Sequence, residues 1–213
     1  MLKLFDRELN MTILTMILAL FSLLLQGGGQ SVVIAIQNPS FEQVSGTLPT
    51  AEQCGRWGWD GQGPFRIPGW TWTTTDPGGT TGVFQPANPN PCSYELPPDG
   101  SIVAYAGAGT VSQDVGMPQP GVYVLKFFVA NRWYSYPGHY KAYISIGAKE
   151  LCSTSGFGAG DFTEVTLVCP APGYLVVDHG LGFAPGHLII SMHSEFAGWQ
   201  LFFDTVSLTF TPN

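Results

Sequence analysis

The sequence predicts an all-β fold, a two-sheet antiparallel β-sandwich of the jelly-roll type, preceded by an N-terminal signal segment. The 213-residue chain contains 27 Gly and 17 Pro, which is typical of a turn-rich protein. Only 11% of its residues are charged, against roughly 25% in an ordinary soluble domain. After residue 98 the chain shows a series of β-branched or aromatic runs bounded by Gly, Pro or Asp. No stretch beyond the N-terminal segment has convincing helical periodicity.

Residues 1–29 are predicted to be a signal peptide or an N-terminal apolar anchor. The apolar run of residues 11–25 follows Lys3 and Arg7 and precedes three glycines, which is the order of a secretory signal. The run is short for a membrane span, but no Ala-x-Ala cleavage site follows it, so cleavage and retention both stay open. We expect a secreted, extracellular or cell-surface protein with one domain over residues 31–213, and membrane contact only if the leader is uncleaved.

The strands are predicted from short apolar runs and the turns between them. Residues 32–36 form a continuous apolar run and predict the first strand. Residues 44–98 are rich in Gly, Pro and Thr and predict a long excursion with at most a few short strands. The regular strands are predicted at residues 101–105, 110–115, 122–130, 140–146, 162–168, 174–177, 187–192 and 200–210. Their number and spacing favour two packed antiparallel sheets.

The last strand is predicted to meet the first part of the domain through two carboxylates. Alternation along the last strand places one set of side chains on a common face: Phe202, Asp204, Val206, Leu208 and Phe210. No Lys or Arg follows Lys149, so a core-facing Asp204 needs hydrogen bonds or a metal ion. We predict a structural Ca²⁺ at Glu42 and Asp204, with backbone carbonyl oxygens from the turn around Asn38 to Ser40. The alternative is that both carboxylates cap backbone N–H groups.

Three motifs resemble the galactose-binding-like β-jelly-roll superfamily. They are Asn-x-Ser-Phe-Glu at residues 38–42, Ile-Pro-Gly-Trp at residues 67–70 and Asp-x-Val-Ser-Leu at residues 204–208. That superfamily includes calcium-containing carbohydrate-binding modules and plant cell-wall proteins of the DUF642 type. The resemblance spans about residues 32–210 and implies the fold, a buried Trp70, and a non-catalytic sugar binder. Two residues depart from the common pattern: Pro39 replaces a usual Gly, and Phe203 replaces an acidic residue that would be a further ligand.

Two aromatic clusters are the candidate ligand-binding sites. One contains Arg132, Trp133, Tyr134 and Tyr136, and the other contains Trp57 and Trp59. Aromatic rings stack on the C–H faces of sugars, while polar groups beside them bind the hydroxyls. The same amphipathic rings serve protein interfaces. Binding of a glycan or polysaccharide, a protein or self-assembly interface, and simple loop packing therefore all stay open.

The four cysteines predict two disulfides, Cys54 with Cys92 and Cys152 with Cys169. Four cysteines allow three connectivities, and the sequential one is chosen here. Oxidation is favoured over free thiols in a secreted chain. The absence of Cys-x-x-Cys spacing disfavours zinc.

The sequence shows no catalytic motif, because Gly-x-Ser-x-Gly is absent and the four His lie in separate contexts. The net charge of −7 argues against nucleic-acid binding. We therefore predict a secreted, non-catalytic, carbohydrate-binding-module-like protein with a structural calcium site, and no enzyme. The alternatives are a structural or adhesive surface protein that self-assembles through its aromatic patches or first strand, and a glycan-active enzyme.

Overall fold

The structure is a computed structural model that describes residues 29–48, 50–52, 54–59, 66–74, 80–87, 96–132, 137–171, 186–195 and 200–213, with the side chains of residues 50–52 and 59 outside the description. Across these ranges the secondary structure consists of strands and turns without a helix, which confirms the all-β prediction. A search of the same ranges finds no helix long and apolar enough to span a bilayer. The predicted signal segment lies outside them.

The strands of the described ranges form two antiparallel sheets. In chain order they are β1 (Val32–Ile34), β2 (Thr50–Glu52), β3 (Gly55–Trp59), β4 (Thr71–Thr74), β5 (Thr80–Pro86), β6 (Val103–Gly107), β7 (Gly109–Asp114), β8 (Gly121–Asn131), β9 (His139–Ile146), β10 (Lys149–Phe157), β11 (Thr163–Ala171), β12 (Leu188–Ser194) and β13 (Leu201–Pro212). The larger sheet has the order β11-β8-β13-β6-β5-β3-β2, and β1 also pairs with β13. The smaller sheet has the order β10-β9-β12-β7-β4. The predicted two-sheet antiparallel sandwich is confirmed.

The main core fills the space between the two sheets. In β8 the buried side chains alternate with partly exposed ones: Tyr123, Leu125, Phe127 and Val129 are at most 1% exposed. This period of two is what a strand with one face on a core requires. Trp70 also lies in this core, with its ring centroid 4.8 Å from that of Phe41.

The sequence prediction missed β10, and it expected at most a few short strands over residues 44–98, where the described residues form four, β2 to β5. One predicted strand lies outside the described residues. β10 was missed because its sequence, KELCSTSGF, has no apolar alternation. It is an edge strand, and its side chains are mostly exposed or half-buried, so the hydrophobic period that reveals a strand is absent. The strand predicted at residues 174–177 lies outside the described ranges.

The face assignment of the last strand was wrong because β13 contains a bulge. Thr205 has a φ of 51°, and the register against β8 shifts between Asp204 and Ser207. Phe203 and Val206 consequently face the main core, whereas Phe202 belongs to a second apolar cluster on the other side of the larger sheet. Asp204, two residues after Phe202 and before the bulge, shares that other side.

A disulfide between Cys152 and Cys169 connects the two sheets at one side of the sandwich. It joins β10 to β11, which are edge strands of different sheets, and the two Cα atoms are 5.7 Å apart. Cys54 is also disulfide-bonded, while Cys92 lies outside the described residues.

Replacing Cys152 and Cys169 together by Ser should lower the free energy of unfolding by about 3 kcal/mol. The two residues are 17 apart in sequence, and a closed loop of this length mainly restricts the unfolded chain. Urea unfolding of the oxidised protein and the double variant measures the difference. Ser155→Ala, an exposed change on the same strand, is the control, and equal midpoints for all three proteins would contradict the prediction.

Candidate functional site

A strained turn at residues 38–42 packs against the bulge of β13. Asn38, Phe41 and Thr205 have φ values of 52°, 60° and 51°. Positive φ is uncommon for residues other than Gly, and for a bulky or β-branched residue it costs of order 1–3 kcal/mol. Such strain persists only where the surrounding structure enforces it. Three of the four non-Gly residues with positive φ in the described ranges lie at the junction between the turn and β13.

The side chain of Asn38 closes this turn, and both of its polar atoms form hydrogen bonds in doing so. Its Oδ1 accepts a hydrogen bond from Gln43 N at 2.9 Å, and its Nδ2 donates to Gln43 O at 2.9 Å. The indole N–H of Trp70 donates to the backbone carbonyl of Asn38 at 3.0 Å. On the other side of the turn, Val206 N donates to Pro39 O at 2.9 Å, which fixes the turn to β13.

Asp204 is a fully buried carboxyl at this junction. Its Oδ1 accepts a hydrogen bond from Thr205 N at 2.7 Å, and its Oδ2 accepts one from Asp99 N at 3.1 Å. Burial raises the pKa of Asp204 to about 7, the negative charges of Asp99 and Glu42 add to the rise, and the two backbone N–H groups oppose it. Asp204 therefore holds a proton at higher pH than an ordinary aspartate does.

Glu42 holds the segment that covers Asp204, residues 98–101, called the strap below. Glu42 Oε1 accepts hydrogen bonds from Ser101 N at 2.8 Å and Ile102 N at 2.6 Å, and Oε2 accepts one from Ser101 Oγ at 3.2 Å. Ser40 Oγ donates to Asp99 Oδ2 at 2.6 Å. The strap is thus tied to the N-terminal turn by two side chains.

Three carboxylates lie together here, of which the sequence prediction named two. They are Glu42 and Asp204, which were predicted, and Asp99, which was not. The oxygens of Glu42 and Asp204 accept hydrogen bonds from backbone N–H groups, as the capping alternative predicted. A search of the described ranges finds no group of three or more His, Cys, Asp or Glu that could hold a metal ion. Of the predicted carbonyl ligands, Asn38 O accepts hydrogen bonds from Phe41 N at 3.1 Å and from Trp70 Nε1 at 3.0 Å. A carboxylate has about four lone-pair sites, so some remain for a cation.

An aromatic cluster lies on the outer side of the larger sheet, the side that Asp204 shares. Its buried members are Trp57, Phe84, Val103, Tyr105, Ala130 and Phe202. Cross-strand pairing explains the contacts, since Trp57 lies opposite Phe84 and Phe202 lies opposite Tyr105. The rings of Trp57 and Phe84 stack at 4.0 Å.

Of the six residues predicted to bind a ligand, the structure brings two together. The guanidinium of Arg132 lies 4.4 Å from the ring centroid of Trp57, within the range of a cation–π contact. Trp57 is only 2% exposed, so its ring is packed and not a surface platform. The backbone of Trp59 belongs to β3, but its side chain lies outside the description, as do Trp133, Tyr134 and Tyr136.

A polar groove of about 640 Å³ crosses the outer face of the smaller sheet. Lys141 Nζ lies 2.6 Å from Glu150 Oε2, and His193 Nδ1 lies 3.0 Å from Thr110 Oγ1. Burial lowers the pKa of His193. Sequence reasoning missed the groove because its polar residues are scattered over β4, β7, β9, β10 and β12, and only strand pairing makes them neighbours.

The two antiparallel sheets define a β-sandwich of the jelly-roll type, and the comparison with protein families gives the class. The model of the HpiC1-like family, described as HpiC1 cyclase, matches residues 32–209. The chain belongs to this family.

Solved structures of similar proteins support the fold. The Stig cyclase Fisc from Fischerella sp. TAU, in complex with (3Z)-3-(1-methyl-2-pyrrolidinylidene)-3H-indole, is 20% identical with a TM-score of 0.62, and the match covers 86% of this chain and 99% of that one. A cyclase from the same source in complex with 4-(1H-indol-3-yl)butan-2-one is 20% identical with a TM-score of 0.60, covering 85% and 99%. The CBM22-1–CBM22-2 tandem domain of Paenibacillus barcinonensis Xyn10C is 11% identical with a TM-score of 0.51, covering 88% and 48%. No curated protein matches the chain.

These findings correct the functional part of the sequence analysis. The galactose-binding-like, carbohydrate-binding-module assignment is wrong because the matching family is a cyclase family. The predictions of a non-catalytic sugar binder, of no enzyme, and of a glycan or polysaccharide partner are wrong for the same reason. The two alternatives, the self-assembling adhesive protein and the glycan-active enzyme, are wrong as well. The motifs behind the resemblance mark the jelly roll, which cyclases share with sugar-binding modules.

Stability should fall with rising pH through the titration of Asp204. Its pKa is raised from 3.8 to about 7 in the folded protein, so its contribution is fully present below pH ~4 and lost as the pH passes ~7. At 1.36 kcal/mol for each pKa unit, the upper limit of the loss is about 4 kcal/mol. Urea unfolding at pH 5 and pH 8 should show a smaller change in Asp204→Asn, which cannot ionise.

Asp161→Asn, which neutralises an exposed carboxylate, is the matched control for this experiment. It should retain the pH dependence of the unmutated protein. An equal dependence in Asp204→Asn and the unmutated protein would show that Asp204 titrates normally.

Proposed function

We propose that this protein is a small-molecule cyclase in which the Asp204 carboxyl acts as the proton donor. The observation that carries the proposal is the pKa of Asp204, which burial raises to about 7 at the strained junction between the turn and β13. Membership of the HpiC1-like family supports the reaction class. Perturbed carboxyls and strained backbone both concentrate at functional sites.

A cyclase of this kind needs an acid that is protonated at neutral pH and can recover its proton. Ring closure joins an electron-rich carbon to an electrophilic one, and protonation of the substrate strengthens the electrophile. The proton lost from the new ring can return to the carboxylate, so acid and base can be one residue. General acid–base catalysis of this kind contributes about 10²–10⁴-fold to a rate, most effectively when the pKa is near the working pH.

An aromatic substrate suits the surroundings of Asp204. Phe202 points to the same side of β13 and belongs to the cluster that contains Trp57 and Tyr105. The two Fischerella cyclase structures carry indole compounds, and we extend that ligand class to this chain. Substrate would reach Asp204 past the strap, whose residues are exposed.

The experiment is a conversion assay with indoles that carry an alkenyl or carbonyl side chain. Ring closure by addition changes the structure but not the mass, so chromatography with mass detection identifies it. The unmutated protein should form products of unchanged mass, and Asp204→Asn should be slower by about 10²–10⁴-fold. Asp161→Asn should match the unmutated protein. Equal rates for Asp204→Asn and the unmutated protein would remove Asp204 from the mechanism.

We propose secondly that Ca²⁺ binds at Glu42 and Asp204, with Asp99 as a further oxygen donor. The negative charges of Glu42 and Asp99, which act on Asp204, and the preference of Ca²⁺ for oxygen ligands support this site. A cation would replace the proton on Asp204, so the proton-donating and Ca²⁺-bound forms are alternative states of this residue, and Ca²⁺ binding should strengthen as the pH rises toward ~7 and level off above it.

The calcium proposal predicts a melting temperature that depends on Ca²⁺. At pH 8, a hundredfold excess over the dissociation constant should stabilise the protein by about 2.7 kcal/mol, and EDTA should reverse the change. Asp204→Asn should remove the dependence, whereas Asp161→Asn should keep it. A melting temperature unaffected by Ca²⁺ and EDTA would leave N–H capping as the role of these carboxylates.

We also propose that the protein is exported and that residues 31–213 form one domain. The Cys152–Cys169 disulfide supports export, because such bonds persist in oxidising compartments. Cell fractionation of the expressed chain tests this, and retention of the mature protein in the cytoplasm would contradict it.

A further inference from the structure

We propose that Glu42 is a positioning residue that clasps the strap over Asp204 and thereby controls access to it. The inference rests on the proposed role of Asp204 as the acid. Its own support is geometric and comes from the contacts of Glu42, Gly100 and Asp99.

The clasp consists of charge-assisted hydrogen bonds to the backbone. Ser101 N and Ile102 N both donate to Oε1 of Glu42, at 2.8 and 2.6 Å, and Ser101 Oγ donates to Oε2 at 3.2 Å. Hydrogen bonds to a carboxylate are about twice as strong as those between neutral groups. Glu42 itself is exposed, so these bonds hold the strap without burying the residue that makes them.

Gly100 is shaped to receive the Glu42 carboxylate. Its φ is +71°, and a Cβ at this position would lie 2.3 Å from Cδ of Glu42. Any larger residue would displace the carboxylate and would also strain the backbone. The strap therefore depends on Gly100 for two separate reasons: the space that the Glu42 carboxylate occupies and the positive φ of the backbone.

The strap contacts Asp204 and is itself exposed to solvent. Asp99 N donates to Oδ2 of Asp204 at 3.1 Å, and Asp204 is 0% exposed, while residues 98–101 are themselves exposed. A thin segment held mainly by a few hydrogen bonds opens at low cost compared with a core strand. Releasing Glu42 would free the strap and uncover the carboxyl, whereas the strands beneath would stay paired.

The test combines hydrogen exchange with probe binding. In the unmutated protein the amides of Ser101 and Ile102 should exchange slowly. Glu42→Ala should speed their exchange by about tenfold or more, because both lose their acceptor. Glu42→Gln keeps one acceptor oxygen and should lie between. Gly100→Ala should resemble Glu42→Ala, since it displaces the same carboxylate.

Access is measured with 4-(1H-indol-3-yl)butan-2-one as the probe. Its association rate, followed by tryptophan fluorescence in stopped flow, should rise in Glu42→Ala and partly return in Glu42→Gln. The matched control is Glu164→Ala, which removes an exposed glutamate paired with Lys126 on the larger sheet. Glu164→Ala should change neither the amide exchange of Ser101 and Ile102 nor the association rate of the probe.

The outcomes separate the clasp from the proposed function. Unchanged amide exchange in Glu42→Ala would overturn the clasp, and so would faster exchange with an unchanged association rate. Failure of the probe to bind the unmutated protein would count against the proposed function alone, because amide exchange still reads the clasp in that case. Thermal unfolding of each variant shows that the fold is retained.

Discussion

The burial of the Asp204 carboxyl at the bulge of β13 is the constraint around which this end of the molecule is built. An ionised carboxylate away from water is costly unless donors or a cation surround it. The described structure supplies two backbone N–H groups, from Thr205 and Asp99. Thr205, which donates the first hydrogen bond, has a positive φ. Asp99, which donates the second, lies on the strap that Glu42 holds. The strain and the strap both follow from placing this group inside the fold.

The N-terminal turn transmits this constraint to the other sheet. Phe41 is fully buried against Trp70 and Trp72, the second of which lies on β4 of the smaller sheet. The side chain of Gln113, on β7, accepts from Gln37 N at 2.7 Å and donates to Gln37 O at 2.9 Å. The same short stretch thus contacts β13 in one sheet and β4 and β7 in the other. Residues 37–41 therefore link the Asp204 junction to both sheets.

The sequence was sufficient for the fold because the fold depends on patterns that are local. The alternation in β8 and the Gly- and Pro-rich turns can be recognised directly in the sequence. The bulge was not visible, because one extra residue in a strand leaves no mark on the hydrophobic pattern around Thr205. The face of Asp204 was consequently misassigned, although its lack of a basic partner and its hydrogen-bonded state were foreseen as one alternative. Asp99 was missed because only the strap brings it to Asp204.

Function could not be predicted from the same motifs because those motifs build the scaffold. Asn38 closes the turn through its own side chain, Trp70 packs on Phe41, and Glu42 holds the strap. Each of these contacts stabilises the sandwich, whether the protein binds a sugar or catalyses a ring closure. What differs between such proteins is the environment that the scaffold creates for one or two groups. Here that environment raises the pKa of a buried carboxyl that lies on the same side of the sheet as an aromatic cluster. The alternation of β13 indicated a buried Asp204, but no motif in the sequence indicates the strap that contacts it.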